Sequence, residues 1–359
     1  MRYTINMLSG AHKVKGQGVS SAYDEQVALA RQLDEKFDVS ENKLAMADIT
    51  HYHTINPQYI LTFPLAGLRG ARVGYVHFLP ETVDGSLHLW KPFQKAFYWY
   101  LLRFYKSMDY LVTVNPDFIS HLAAYGIDPQ KVTYIPNYVS SERFHPLPQD
   151  QISALRQQFG LEPDRFTVCC AGQLQTRKGI FDFIRLAERM PSFQFIWAGG
   201  FSFGNITEGY KEIKEKLENP PANLHFTGIL EREQMNDFYN IGDVMFLPSY
   251  DELFPMTILE AMCCGKPILL RDIDIYKNIL FDFYLKGNDL DDFEKQLRRL
   301  QEDPAFYQQA CQMAQKGNAF YSKEHVLEMW DQFYSRVASD VQENRARHKQ
   351  HRLTKGTNA

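Results

Sequence analysis

Two glutamates eight residues apart, Glu252 and Glu260, bracket a helix start in the stretch LPSYDELFPMTILEAMCCGKP, Leu247 to Pro267. Pro255 suits a first helical turn, where a missing N–H costs nothing, and Gly265 followed by Pro267 is a strong stop. The free N–H groups near Phe254–Met256 and the positive end of the helix dipole make an anion site best suited to phosphate. A carboxylate on each side suits a ligand whose hydroxyls lie beside its phosphates, and a nucleotide sugar has that shape. On spacing alone, an ordinary strand–turn–helix unit with solvated acids fits as well.

A second group with chemical potential is Arg177-Lys178-Gly179, which follows the strand Phe166–Ala171. A fixed cation there offsets the charge that builds on a departing diphosphate; a lone Arg-Lys pair is otherwise a solvated surface feature. Near the start, a strand over residues 2–8, Gly16-Gln17-Gly18 and a helix from about Ser20 to Leu33 form the order that brings backbone N–H groups to a phosphate. A plain turn is the alternative. His77 ends the strand Val73–His77. His51 and His53 share one face of the strand Asp48–His53 but have no third ligand in view for a metal. Asp272-Ile273-Asp274 mimics a metal-binding D-x-D and reads as structural.

These groups need a scaffold, and the chain alternates strands with helices twice. Asp109–Val114 and Val132–Pro136 complete a first domain, residues 1–145, and Pro146–Asp150 is the natural linker. The second domain, residues 151–322, has further strands at Phe193–Ala198, His225–Thr227, Val244–Leu247 and Ile268–Leu270. Helices fall at about 208–218, 232–240 and 256–264. Such alternation predicts an α/β fold with parallel sheets covered on both faces, and ligands bind beyond the carboxyl ends of the strands. A helix over 323–342 follows, and the basic tail 343–359 reads as disordered.

At 359 residues the chain is long enough for two cores. Charge is uneven: 14 basic against 13 acidic side chains in 1–145, 20 against 30 in 146–344, and five bases with no acid in 345–359. That argues against a nucleic-acid binder and leaves room for an anionic membrane surface. The five cysteines show no C-x-x-C spacing, which implies buried, reduced thiols and a cytoplasmic protein. The first residues lack a signal-peptide core, and no apolar run reaches the roughly 18 residues needed to span a bilayer.

The stretch 91–110, KPFQKAFYWYLLRFYKSMDY, places Phe93, Phe97, Tyr100, Leu101 and Phe104 on one helical face. Lys91, Lys95, Arg103 and Lys106 gather on the other, with Trp99 and Leu102 among them. Bases mixed with exposed large apolar groups favour a helix lying in a lipid interface; the alternative is a plain amphipathic core helix.

The E-x7-E spacing, the Phe-Pro turn between the acids and the Glu-Ala-Met-x-x-Gly-x-Pro after them together resemble the donor site of family 4 retaining glycosyltransferases. The resemblance covers residues 1 to about 340, and RYTINMLSGAHKVKGQGVSSAYDEQ, GYVHFLPETVDGSL and the aromatic-basic helix look most like the bacterial glycolipid synthases of that family. It implies the GT-B architecture: two Rossmann-like domains with parallel sheets facing across a cleft, and the helix 323–342 crossing back to the first domain. VTYIPNYVSSERFHP is similar to the family's Ile-Pro-Asn-Gly-Val stretch, with Tyr138 in place of the usual Gly.

By the resemblance, His77 lies beside the reacting sugar carbon, Lys178 offsets the leaving diphosphate and Glu252 holds hydroxyls of the donor sugar. Phe254, Pro255 and Met256 line the sugar and phosphate turn, Glu260 holds the ribose, Ile229 lies in the turn that holds the base, and Gly16 and Gly18 reach the diphosphate. Arg177 stands in for the family arginine that Gln173 replaces. The implied reaction moves an α-hexosyl group from UDP-glucose or UDP-galactose to α-glucosyl-diacylglycerol at the inner membrane surface, with retention, no metal and no cofactor. The open alternative is a family 4 enzyme acting on diacylglycerol itself, or on a soluble or polysaccharide acceptor.

Overall fold

The first six strands, β1 (Tyr3–Leu8), β2 (Phe37–Glu41), β3 (Ile49–Tyr52), β4 (Ala71–Val76), β5 (Tyr110–Thr113) and β6 (Val132–Tyr134), form one parallel sheet ordered β2-β1-β3-β4-β5-β6. The second six, β7 (Thr167–Ala171), β8 (Gln194–Ala198), β9 (Leu224–Gly228), β10 (Val244–Leu247), β11 (Ile268–Arg271) and β12 (Leu285–Gly287), form another, ordered β12-β11-β10-β7-β8-β9. This is the α/β, two-sheet architecture that the alternation predicts. The computed structural model describes residues 2–10, 18–43, 45–80, 91–201, 207, 209–252 and 254–356. Every residue of β7, β8 and β10 is buried, because helices cover both faces of a parallel sheet. The edge strands β2 and β12 carry too few buried apolar residues to announce themselves in the sequence.

Each sheet reverses its strand order once, between β1 and β3 in the first and between β7 and β10 in the second. Ligand sites in open α/β sheets form at such switch points, beyond the carboxyl ends of the strands. The loops leaving β7 and β10 carry Lys178 and Glu252.

The last helix spans Lys323–Gly356. Trp330, Phe333, Tyr334, Val337, Ala338 and Val341 are buried on it, a stripe at helical spacing. It lies on the first domain: Tyr334 Oη is 2.9 Å from His51 Nδ1 and accepts from Gln26 Nε2 at 3.0 Å, Asp331 pairs with Lys36 at 2.6 Å, and Asp340 accepts from Tyr110 Oη at 2.5 Å. The tail expected to be disordered from 343 on continues this helix to Gly356. No proline interrupts it, its residues are mostly good helix formers, and Glu343 pairs with Arg347 one turn on. Arg345 also anchors it, pairing with Asp48 at 2.6 Å.

His51, His53 and His77 form a column in the first domain. The His51 and His53 rings lie 4.2 Å apart, and the His77 ring stacks on Tyr75 at 4.4 Å. Neither ring nitrogen of buried His53 has a partner, and His51 has one. Burial lowers His51 to about 3 and His77 to about 4, and drives His53 well below its ordinary value. An unfolded histidine titrates near 6.5, so the unfolded chain binds more protons as pH falls from about 6.5 toward 4. The stability these groups contribute is therefore complete above about pH 6.5 and is lost below it, at about 1.4 kcal/mol per pH unit for each histidine. Thermal unfolding should show Tm dropping steeply between pH 6.5 and 4.5, with a shallower slope in His53→Phe. An equally steep slope in that variant would assign the acid sensitivity elsewhere.

Candidate active site

The second sheet's switch point brings two loops into contact. Gly179 makes the approach possible: its φ is +74°, and a Cβ there would sit 2.4 Å from the Pro248 carbonyl oxygen. Across this contact Lys178 Nζ donates to Glu252 Oε1 at 2.5 Å, and Ser249 Oγ donates to the same oxygen at 2.7 Å. Arg177 Nη1 donates to the Asp251 carbonyl at 2.9 Å, and its own carbonyl accepts from Tyr250 N–H at 2.8 Å. Burial alone would raise the Glu252 carboxyl, but Lys178 and Arg177 hold it below its ordinary value. Burial lowers Lys178, and Glu252 opposes that shift. The two groups form one desolvated unit.

The helix Met256–Cys263 begins beside them, with Pro255 as its extended N-cap and no acid in its first turn. The Thr257 hydroxyl is buried there without a partner, and so are Arg177 Nε and the Gln175 side-chain oxygen. Buried polar atoms are nearly always satisfied, so an unpaired hydroxyl at the helix start, with two more unpaired atoms on the loop that carries Lys178, marks a place where a polar ligand completes the bonding. Phe254 and Met256 are buried, with Phe254 packed 5.1 Å from Tyr321, so they offer this space backbone rather than side chain.

One turn further along the helix, Glu260 is buried and accepts from Tyr239 Oη at 2.6 Å. Burial raises its pKa, and the Tyr239 hydrogen bond and Arg232 oppose the rise. Gly228 takes a left-handed turn at the end of β9 and leaves Ile229 45% exposed, against Gly200 just past β8. Arg232, just beyond, reaches the first domain: it donates to Glu25 at 2.6 Å and Asp24 at 3.0 Å, and Arg143 joins Glu25 at 3.1 Å. This clamp between the domains lies on the Glu260 side of the site.

Several predicted residues therefore converge: Arg177, Lys178, Glu252, Pro255 and the helix start form one locus, with Glu260 and Ile229 along its flank. His77 belongs to the first domain, at the carboxyl end of β4, and its Nε2 is buried without a partner. Gly18 opens the helix Gly18–Ala30, and Gly16 lies outside the described residues. Asp272 accepts from Tyr284 and Asp274 pairs with Lys277, so the two aspartates of the D-x-D mimic serve different partners. On the helix Lys91–Lys106, Lys91, Lys95, Arg103 and Lys106 are exposed, as is Trp99, while Leu102 is half-buried. Phe93, grouped above on one helical face with Leu101 and Phe104, is 60% exposed: it lies in the first turn, ahead of the part of the helix that Leu101, Phe104 and Tyr105 bury.

Ser249, Tyr239 and the Asp24–Glu25–Arg232–Arg143 clamp had no signal of their own. Ser249 stands three residues before Glu252, where a polar residue after an apolar strand was the available hint. The others are neighbours only in space.

Known proteins share this sequence pattern and fold. A model of the glycosyl transferases group 1 matches residues 151–318, and one of Glycosyltransferase Family 4 matches residues 26–143. The chain is 48% identical over 337 residues to an alpha-galactosylglucosyldiacylglycerol synthase of Streptococcus pneumoniae, covering 93% of this chain and 90% of that one. It is 29% identical to a processive diacylglycerol alpha-glucosyltransferase of Acholeplasma laidlawii, over 63% of this chain and 68% of the other. Among solved structures, Anabaena HepE in complex with UDP and glucose superposes with a TM-score of 0.72 at 15% identity, covering 93% of this chain and all of that one. Sucrose-phosphate synthase of Thermosynechococcus elongatus does so with a TM-score of 0.75 at 16% identity, over 94% and 100%. Two parallel sheets with these neighbours are the GT-B fold, and the chain belongs to the family 4 glycosyltransferases, in their glycolipid synthase branch.

Proposed function

We propose that the protein transfers an α-hexosyl group from a UDP-sugar to α-glucosyl-diacylglycerol at the inner membrane surface, with retention of configuration and no metal. The observation that carries this reading is the locus at the second switch point: a buried Lys178–Glu252 pair beside a helix N-terminus with unpaired polar atoms. Galactose is the donor sugar of choice, on the strength of the 48% identical relative's name; glucose is the second reading, on that of the Acholeplasma enzyme.

The diphosphate sits at the N-terminus of Met256–Cys263, where the helix dipole and backbone N–H groups favour anions and Thr257 offers a hydroxyl. The sugar hydroxyls bond Glu252, the ribose hydroxyls bond Glu260 and the base rests on the Ile229 turn. As the glycosidic bond to the diphosphate breaks, negative charge grows on the leaving oxygen. Lys178 and Arg177 stabilise it, in a site dry enough to strengthen the attraction. The acceptor hydroxyl attacks from the same face and its proton passes to the departing phosphate oxygen. His77, neutral because it is buried, takes the place beside the reacting sugar carbon from the carboxyl end of β4.

Purified protein given UDP-galactose or UDP-glucose with glucosyl-diacylglycerol vesicles should make the dihexosyl lipid, and EDTA should leave the rate unchanged. Preference for diacylglycerol, or for a soluble sugar, would overturn the acceptor; a strict divalent-ion requirement would overturn the metal-independent step. Glu260→Gln should weaken UDP binding in calorimetry by on the order of 10-fold, as for loss of a charged hydrogen bond, and leave kcat nearly unchanged at saturating donor. Unaltered affinity would remove Glu260 from the ribose site.

A further inference from the structure

Six of the eleven exposed large apolar side chains among the described residues lie on two neighbouring segments of the first domain: Ile60, Leu61, Leu65, Leu68, Phe93 and Trp99. Phe93 and Trp99 belong to the helix Lys91–Lys106. The other four belong to a 3-10 turn, Pro57–Thr62, continued by the helix Phe63–Arg69. Tyr59, Phe63 and Ala66 bury one side of this second segment, and Leu61, Leu65 and Leu68 recur on the other at helical spacing. Leu61 and Leu68 are more than 80% exposed. A segment apolar on both sides needs a second apolar neighbour.

The two segments form one body. Phe63 and Phe104 meet edge to face at 5.1 Å, and Tyr100 Oη donates to the Ile55 carbonyl. They leave the carboxyl ends of the adjacent strands β3 and β4 and run side by side back to the amino ends of β4 and β5.

We infer that Leu61, Leu65 and Leu68 form an apolar wedge that enters the acyl region of an anionic bilayer, beside the basic helix. This inference rests on the membrane reading above and adds to it a second, uncharged element that sequence patterning did not single out. Charge selects the bilayer over a second copy of the chain. Residues 54–72 and 91–106 contain no acid, and Arg69, Lys91, Lys95, Arg103 and Lys106 are exposed around the apolar groups. The basic C-terminal helix reaches the same place, where Arg345 Nε donates to the Arg69 carbonyl at 2.9 Å. Two like-charged faces would repel one another, whereas a phosphatidylglycerol surface pairs with this one.

Salt separates the wedge from the charges, because ionic attraction is screened within a few ångströms at 1 M and burial of leucine is not. The test is flotation of the full-length protein with phosphatidylglycerol/phosphatidylcholine vesicles, at 0.1 and 1 M NaCl, for wild type and Leu61→Ser/Leu65→Ser/Leu68→Ser. Wild type should retain binding at 1 M salt. The triple variant should lose that fraction, with a partition coefficient lower by on the order of 10³-fold, since each leucine side chain withdrawn from water contributes roughly tenfold. Its UDP affinity and its turnover on a short-chain, water-soluble glucoside should match wild type. Equal salt-resistant binding by the triple variant would overturn the wedge and leave the membrane reading intact. Failure of wild type to float at any salt would overturn both. A wild-type dimer that the substitutions dissociate, with flotation unchanged, would assign the face to a second copy and overturn the wedge.

Discussion

Replacing Lys178 with alanine should lower kcat by roughly 10²-fold or more, the cost of losing one preorganised charge at the leaving group. The structure adds a second consequence. Lys178 is the main partner of Glu252, whose carboxylate is buried and would keep only the Ser249 hydrogen bond and the field of Arg177. Breaking such a pair from one side destabilises by about 3–5 kcal/mol, so Tm should fall by on the order of 10 °C. The two effects separate on measurement. Stopped assays well below the variant's Tm report the loss in turnover per folded molecule, and thermal unfolding reports the loss in stability. A variant that melts early yet turns over at the wild-type rate would make Lys178 a structural partner of Glu252 and remove it from catalysis.

The second large effect is expected at the membrane. Lys91, Lys95, Arg103 and Lys106 are all exposed on one helix. Each cation near an anionic surface contributes about 1 kcal/mol, fading within a Debye length. Changing all four to serine should therefore weaken binding to anionic vesicles by on the order of 10²-fold or more at low salt, and activity on vesicle-borne acceptor should fall in parallel. UDP-sugar binding should be untouched, because these residues and the donor locus lie in different domains. Wild-type activity of the variant on neutral and anionic vesicles alike would make this helix a core element only.

The donor locus was legible because it is built from contiguous chain: a strand, a turn, a proline at the helix start and two acids at fixed spacing survive as a string. Lys178 was legible for a related reason, since a strand end followed by a left-handed glycine fixes where the side chain emerges. The partners that set the charge states were not. Ser249 and Tyr239 hold the two glutamates through contacts that only the packed sheet and helices create. The Arg232–Glu25 clamp joins residues 207 positions apart. Leu61, Leu65 and Leu68 follow an ordinary helical spacing, and nothing in that spacing says that Tyr59 and Phe63 on the opposite side take the core. The tail departs from its expectation for the converse reason: charge density suggested disorder, while helix propensity and one docked arginine, Arg345, extend the helix to Gly356.

The measurement that bears most directly on the proposed chemistry is the anomeric configuration of the new linkage, read from the proton NMR spectrum of lipid made from UDP-galactose and glucosyl-diacylglycerol vesicles. An α-linked hexose on the glucosyl headgroup, formed at an unchanged rate in EDTA, is the expected result. A β-linked product, or no transfer to the lipid while UDP is still released, would contradict same-face displacement on this acceptor.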